Sequence, residues 1–369
     1  MNVLLVAEGS GGHVIPALQV ARTLASRGAR IKVWYAARPH TEPLMAALAG
    51  QAGGASIDVD PIPLERQTNW LGRLRQARRL WRQAQRCFDT FAPDVVVGFG
   101  GWVSAPVVLA AKQRRIHCLV HEQNVELGRA NRWLTRWVDR VAVSFEETGQ
   151  ALRDTPRRSV HAVTTGLPIR QAIGSVSRAT AAARFSFAPD RPTLVVFGGS
   201  QGARAVNRLM AGVAHALTPE ERRSWQILHV SGSADEAMMR DTYARAGLHA
   251  WTAPFLIEME VAYALADVVV ARAGASTIAE LIRCGVPPVL IPYPHAGGHQ
   301  RANARMVGAA FGGIVLEEAE ATPQRVLEAV RRLMGDPDLR RRMSLQLRTL
   351  EHGDASQRLS DAILEAAHR

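Results

Sequence analysis

His13 stands at the end of the stretch EGSGGH, residues 8 to 13, directly after Gly9, Ser10, Gly11 and Gly12. An imidazole titrates near neutral pH and suits a base that takes a proton from a hydroxyl. Glycines at a strand-to-helix junction let backbone N–H groups approach an anion, and the helix start adds the positive end of its dipole. The same residues also make a plain tight turn. A second set gathers in RAGASTIAE, where Ser276 and Thr277 fall at the expected start of a helix and their hydroxyls suit a diphosphate. Glu280 reads equally as a capping-box glutamate and as a carboxylate accepting both hydroxyls of a ribose. Gly100 and Gly101 in GFGGWVS, Glu122 and Asn124 in HEQN, and Ser200 in FGGSQGAR complete the polar inventory.

Several chemistries are disfavoured by spacing. A dinucleotide fingerprint needs GxGxxG and an acidic residue about 20 positions on, at the end of the second strand. Here the glycine spacing differs and IKVWYAARPH ends without an acid, although Arg38 keeps an NADP oxidoreductase open as a minor alternative. No GK[ST] follows either glycine loop. Asp58-Val59-Asp60 matches a DxD metal motif formally, but SIDVDPIPL reads as a strand. Cys87, Cys118 and Cys284 lack CxxC spacing, which argues against a zinc site or a disulfide framework.

The elements that must carry these residues alternate. NVLLVA, IKVWYAA, DVVVGFGG, HCLVHEQN and RVAVSF are strand-like runs separated by helical stretches, with the first helix expected from about Pro16 to Ser26. The pattern restarts at TLVVFGGSQGARAVNRLM and continues through WQILHVSG, DVVVARAG and PPVLIPYP. This rhythm predicts an α/β protein with two doubly wound parallel sheets, the boundary falling between Leu167 and Pro192. Ligands of such sheets bind beyond the carboxyl ends of the strands, where the glycines and polar residues collect. Two edges facing one another would frame an interdomain cleft.

The 369 residues, 47% of them hydrophobic, suffice for two cores. The N-terminal apolar run is too short for a signal peptide or a membrane span, so a cytoplasmic setting or its membrane face is expected. A net charge of +12 suggests an anionic partner, yet Lys32 and Lys112 are the only lysines, so part of the bias can reflect composition. Helix-turn-helix, RNP and zinc signatures of nucleic-acid binding are absent.

GSGGHVIPAL, GFGGWVSAPVVLAAK, HEQN, FGGSQGAR and RAGASTIAELIRCGVPPVLIPYPHA…HQRANA, in this order across nearly the whole chain, resemble the MurG family. The resemblance implies the GT-B architecture, with two Rossmann-like domains at residues 1–166 and 167–354 and a last helix (355–367) that can pack back on the first. It implies an inverting transfer of N-acetylglucosamine from UDP-N-acetylglucosamine to the C4 hydroxyl of lipid I, giving lipid II; since the glycine loops and helix starts can meet the charge on departing UDP, neither a metal nor another cofactor is expected. Matched by position, His13, Asn124 and Glu122 become the catalytic candidates. His13 is the expected base, with helix capping or binding of the lipid diphosphate as its other readings. The nucleotide sugar falls to Ser10, Gly11, Gly12, Asn124, Arg170, Ser200, Leu256, Ser276, Thr277, Glu280, His299 and Gln300. Gly9, Ser10, Gly11, Gly12, Gly100 and Gly101 would face the acceptor diphosphate.

Departures are visible. Glu8 stands where the family has glycine, Ser10 where it has threonine, Trp102 where tyrosine is usual, Leu167 in place of asparagine and His299 in place of a glutamine. In TNWLGRLRQARRLWRQAQRCF, Trp70, Leu71, Leu74, Leu80, Trp81 and Phe88 are interleaved with arginines, which suits an anionic membrane surface. A core-facing stripe explains the leucines equally well. Trp133 and Trp137 could extend the patch. The expected location is therefore peripheral, on the cytoplasmic face of the bacterial plasma membrane. Another GT-B lipid glycosyltransferase or a UDP-N-acetylglucosamine 2-epimerase would share the fold.

Overall fold

The computed structural model describes residues 1–37, 57–63, 70–154, 161–199 and 202–367. The chain forms two compact units, Met1–Ile169 with His352–Arg369, and Arg170–Glu351.

The first unit holds seven parallel strands: β1 (Asn2–Ala7), β2 (Arg30–Ala37), β3 (Ile57–Pro63), β4 (Val95–Gly98), β5 (His117–Glu122), β6 (Arg140–Val143) and β7 (Ala162–Thr164). Their order is β3-β2-β1-β4-β5-β6-β7. The central strands are runs of Val and Leu buried on both faces, as a parallel sheet covered by helices requires. Helix Ala355–Ala367 lays Leu359, Ala362 and Ile363 into one core of this unit, and Arg140 pairs with Glu365 at 2.7 Å.

The second unit has six parallel strands, β8 (Thr193–Phe197), β9 (Gln226–Val230), β10 (His249–Ala253), β11 (Val268–Ala271), β12 (Pro288–Leu290) and β13 (Ile314–Val315), in the order β10-β9-β8-β11-β12-β13. In each unit the strand order reverses beside the first strand, between β1 and β4 and between β8 and β11. Crevices at such switch points are where doubly wound sheets bind ligands, and the loops after these four strands carry most of the glycines singled out above.

β7, β10 and β13 are not evident as strands in the sequence. They are two to five residues long, lie at sheet edges and are largely half-exposed, so their hydrophobic pattern is weak. The first helix spans Gly11–Ser26, beginning five residues before Pro16. Ser10 takes the N-cap position with extended backbone (φ −115°, ψ 150°), and Gly11, Gly12 and His13 form the first turn. Pro16 is tolerated inside the helix at the loss of one helical hydrogen bond.

Candidate functional site

At the carboxyl edge of the first unit, β1 delivers Glu8 to His13 and β4 delivers Phe99 to Ser104. Ser10 Oγ and His13 Nδ1 are 2.6 Å apart, which fixes one ring nitrogen. Gly100 has φ +82°, and a side chain there would sit 3.2 Å from His13 Nε2 and 3.4 Å from Gln123 Oε1. The glycine thus lets the His13 ring lie close to HEQN. Gly101, at φ +76°, has no room for a Cβ because the side chain of Glu8 fills that space, and Glu8 itself is buried.

HEQN is tied by hydrogen bonds within itself and to the neighbouring loops. Glu122, 1% exposed, accepts from Asn124 N (3.0 Å) and Asn124 Nδ2 (3.1 Å) on Oε1, and from Gly128 N (2.8 Å) and Asn131 Nδ2 (2.9 Å) on Oε2. Four donors occupy this carboxylate, so Glu122 holds Asn124 and the following turn in place. His121 is fully buried; it accepts from Gln123 Nε2 on Nδ1 (3.2 Å) and donates from Nε2 to Gly166 O (3.3 Å). Burial, with a smaller push from nearby His13, lowers its pKa to about 4, so the ring stays neutral.

The second unit presents the other half of the candidate residues. Helix Ala275–Cys284 follows β11 with Gly274 as its N-cap, so Ser276 and Thr277 lie within its first turn. The capping-box reading of Glu280 is thereby removed, since the glutamate lies in the second turn, beyond reach of the cap. Ser276 Oγ is buried and makes no hydrogen bond among the described residues. Glu280, 7% exposed, accepts from Tyr263 Oη at 2.8 Å. Burial raises its carboxyl to about 7 against the opposing pull of Tyr263 and Arg170.

Arg170 donates to Ile257 O (2.6 Å) and pairs with Glu260 (3.0 Å), bracing the turn that carries buried Leu256. Gln300 Oε1 accepts from Tyr293 N at 3.0 Å near the start of helix His299–Ala309. His299 Nδ1 is buried with no hydrogen-bond partner among the described residues. Ser200 lies outside the described residues. Arg272, the first residue after β11, is internal: it donates to Ile291 O, pairs with Glu318 and lies over the Tyr293 ring.

The structure therefore joins His13, Ser10, Gly100, Gly101 and Glu122–Asn124 in one unit, and Arg170, Leu256 and Glu280 in the other. Sequence reasoning missed Tyr263, a buried polar group within a short helix, and only the tertiary packing shows what it touches.

Asp58 and Asp60 lie on the edge strand β3 and pair with Lys32 at 3.4 and 3.0 Å. In helix Trp70–Phe91, Leu80 and Phe88 belong to the core, the core-facing stripe that the sequence left open. Trp70, Leu71, Leu74 and Trp81 are exposed, at 72%, 45%, 52% and 36%. Arg73, Arg75, Arg78, Arg79, Arg82 and Arg86 share that helix and have no acidic partner among the described residues. No helix of the described residues is long and apolar enough to cross a membrane.

The glycosyltransferase family 28 N-terminal domain matches residues 3–143, and the glycosyltransferase family 28 C-terminal domain matches residues 193–359. The UDP-N-acetylglucosamine--N-acetylmuramyl-(pentapeptide) pyrophosphoryl-undecaprenol N-acetylglucosamine transferase of Mycobacterium sp. (strain JLS) is 35% identical, over 100% of this chain and 96% of its own. The enzyme of the same name from Nocardioides sp. (strain ATCC BAA-499 / JS614) is 36% identical over 99% and 98%. Among solved structures, the crystal structure of Acinetobacter baumannii MurG is similar with a TM-score of 0.74 and 28% identity, covering 99% of each chain.

Proposed function

The chain belongs to the MurG family of N-acetylglucosaminyltransferases, and from that premise we propose a division of labour between its two units. Its two parallel-sheet units are those of the GT-B architecture. It transfers N-acetylglucosamine from UDP-N-acetylglucosamine to lipid I, forming lipid II, and the oxidoreductase alternative is not favoured. The observation that carries this is identity above 30% along essentially the full length of relatives bearing one activity.

In our reading the first unit handles the acceptor. His13 takes the proton of the C4 hydroxyl, its ring oriented through Nδ1 by Ser10 Oγ and lying beside Gly100. Asn124, held by Glu122, contacts the sugar. The first-turn amides of Gly11 and Gly12, with Gly9, Ser10 and Gly100, meet the lipid diphosphate. The Glu8 side chain fills the space beside Gly101, so the diphosphate sits toward the Gly9–Gly12 side.

The second unit holds the donor. Glu280 accepts the ribose hydroxyls and the Leu256 backbone meets the uracil. Ser276 Oγ, Thr277 and the start of helix Ala275–Cys284, with Ser200, meet the diphosphate as negative charge develops on departing UDP. Gln300 and His299 meet the sugar. The exposed tryptophans of helix Trp70–Phe91, and its arginines without an acidic partner among the described residues, support contact with an anionic bilayer and a peripheral location on the cytoplasmic face of the plasma membrane. Co-sedimentation with vesicles should rise with anionic lipid content; indifference to it removes this surface.

The direct test is UDP release from UDP-N-acetylglucosamine with a lipid I analogue. UDP-N-acetylgalactosamine, UDP-glucose and a diacylglycerol acceptor serve as alternatives. Preference for the first donor and for the lipid I analogue is expected; equal turnover with diacylglycerol contradicts the assignment.

A further inference from the structure

Helix Met259–Leu265 contributes two polar side chains, Glu260 and Tyr263, spaced three residues apart and so projecting from one face. Glu260 meets Arg170, and both are largely buried, with side-chain exposures of 15% and 12%. Tyr263 is 2% exposed, its ring edge-on to Phe197 at the end of β8, and its hydroxyl donates to Glu280 Oε2 at 2.8 Å. One short helix thus links the Leu256 turn, through Arg170 and the Ile257 carbonyl, to the carboxylate on the neighbouring helix.

We propose that Tyr263 is a positioning residue for the nucleoside. Its hydroxyl holds the Glu280 carboxylate in the orientation and the charge state that a ribose diol requires, while the Arg170–Glu260 pair fixes the adjoining turn. The proposal rests on the reading of Glu280 as the ribose ligand. An ionised carboxylate offers acceptors to two hydroxyls, whereas a protonated one spends an oxygen as donor. With Tyr263 donating to one lone pair of Oε2, Oε1 and the remaining lone pair stay open for the diol.

The balance at Glu280 is close. Burial and Glu260 favour the neutral acid, while Tyr263 and Arg170 favour the carboxylate. The Tyr263 hydroxyl is itself pushed well above its usual range, so it stays a donor through neutral pH. Removing that one donor leaves Arg170 alone to stabilise the charge.

Tyr263→Phe keeps the ring against Phe197, and a melting curve checks that the fold is retained. UDP and 2′-deoxy-UDP are titrated into wild type, Tyr263→Phe and Glu280→Gln by calorimetry between pH 6 and 9, and donor KM and kcat are measured alongside. For Tyr263→Phe, UDP Kd and donor KM rise about 10- to 150-fold at pH 7, the size of one lost charge-assisted hydrogen bond. The kcat at saturating donor changes little, the deficit narrows toward pH 9, and discrimination against 2′-deoxy-UDP shrinks. An unchanged UDP Kd, or a loss confined to kcat, overturns the role of Tyr263 when Glu280→Gln still abolishes the 2′-hydroxyl preference. If Glu280→Gln leaves that preference intact, the ribose reading itself falls.

Discussion

Glu122 and Glu280 are buried carboxylates at corresponding edges of two similarly wound sheets, and they are treated oppositely. Glu122 receives four donors from its own loop, while Glu280 receives the Tyr263 hydroxyl and is pushed up by burial to about 7. A carboxylate whose lone pairs are filled by its own unit builds the site. One left partly unfilled is prepared for a ligand that brings its own hydroxyls. A buried carboxylate at the end of a strand, Glu122, therefore serves architecture in one unit, and one within the helix after a strand, Glu280, serves recognition in the other.

The sharpest way to break this comparison is at His13. His13→Ala should lower kcat about 10²- to 10⁴-fold, the usual worth of a general base, while UDP affinity stays unchanged because the donor groups belong to the other unit. Near-wild-type turnover at saturating acceptor removes the base role, and a parallel loss of UDP affinity removes the division of labour.

Each unit also buries a neutral histidine. His229 accepts from Tyr243 Oη and donates to Asn207 Oδ1, whose amide holds Ser231 O and Asp235. Burial lowers its pKa to about 3, and that of His121 to about 4, from 6.5. Both folded values lie below the unfolded one, so the stabilisation is complete above pH 6.5 and is lost as pH falls toward 4 and below. The loss is on the order of 3 kcal/mol for His121 and 4 to 5 for His229 once the pH is below both values. Denaturant melts at pH 7.5 and 5 should show both units weakened at the lower pH; pH-independent midpoints contradict these environments.

Glu122→Gln places an N–H₂ among four donors and should destabilise the first unit by about 2 to 3 kcal/mol, read as a lower denaturation midpoint. Gly101→Ala sets a Cβ on the Glu8 side chain at a left-handed φ, costing about 1 to 3 kcal/mol. Pairing it with Glu8→Gly should recover the steric part, leaving only the backbone strain.

Much of this arrangement was legible in the sequence, because its signals are local. Strand-to-glycine-loop junctions gave both doubly wound halves, and the polar residues collected where parallel strands end. The start of the first helix was not legible: Pro16 read as an opening residue, whereas Ser10 as N-cap draws the glycines and His13 into the first turn. Nor was the split in helix Trp70–Phe91, where an arginine-rich pattern hides which apolar residues reach the core. Contacts such as Tyr263 to Glu280, 17 residues apart and on different helices, have no local signature. For Glu122 and Glu280 it is the hydrogen-bond inventory, supplied by tertiary packing, that distinguishes one carboxylate from the other.

The central claim is tested most directly by calorimetric titration of UDP into Glu280→Gln and Glu122→Gln side by side. The account predicts at least a tenfold weaker Kd for Glu280→Gln, and wild-type UDP affinity for Glu122→Gln under conditions where it remains folded. Wild-type affinity in Glu280→Gln, or an equal loss in both variants, would contradict it.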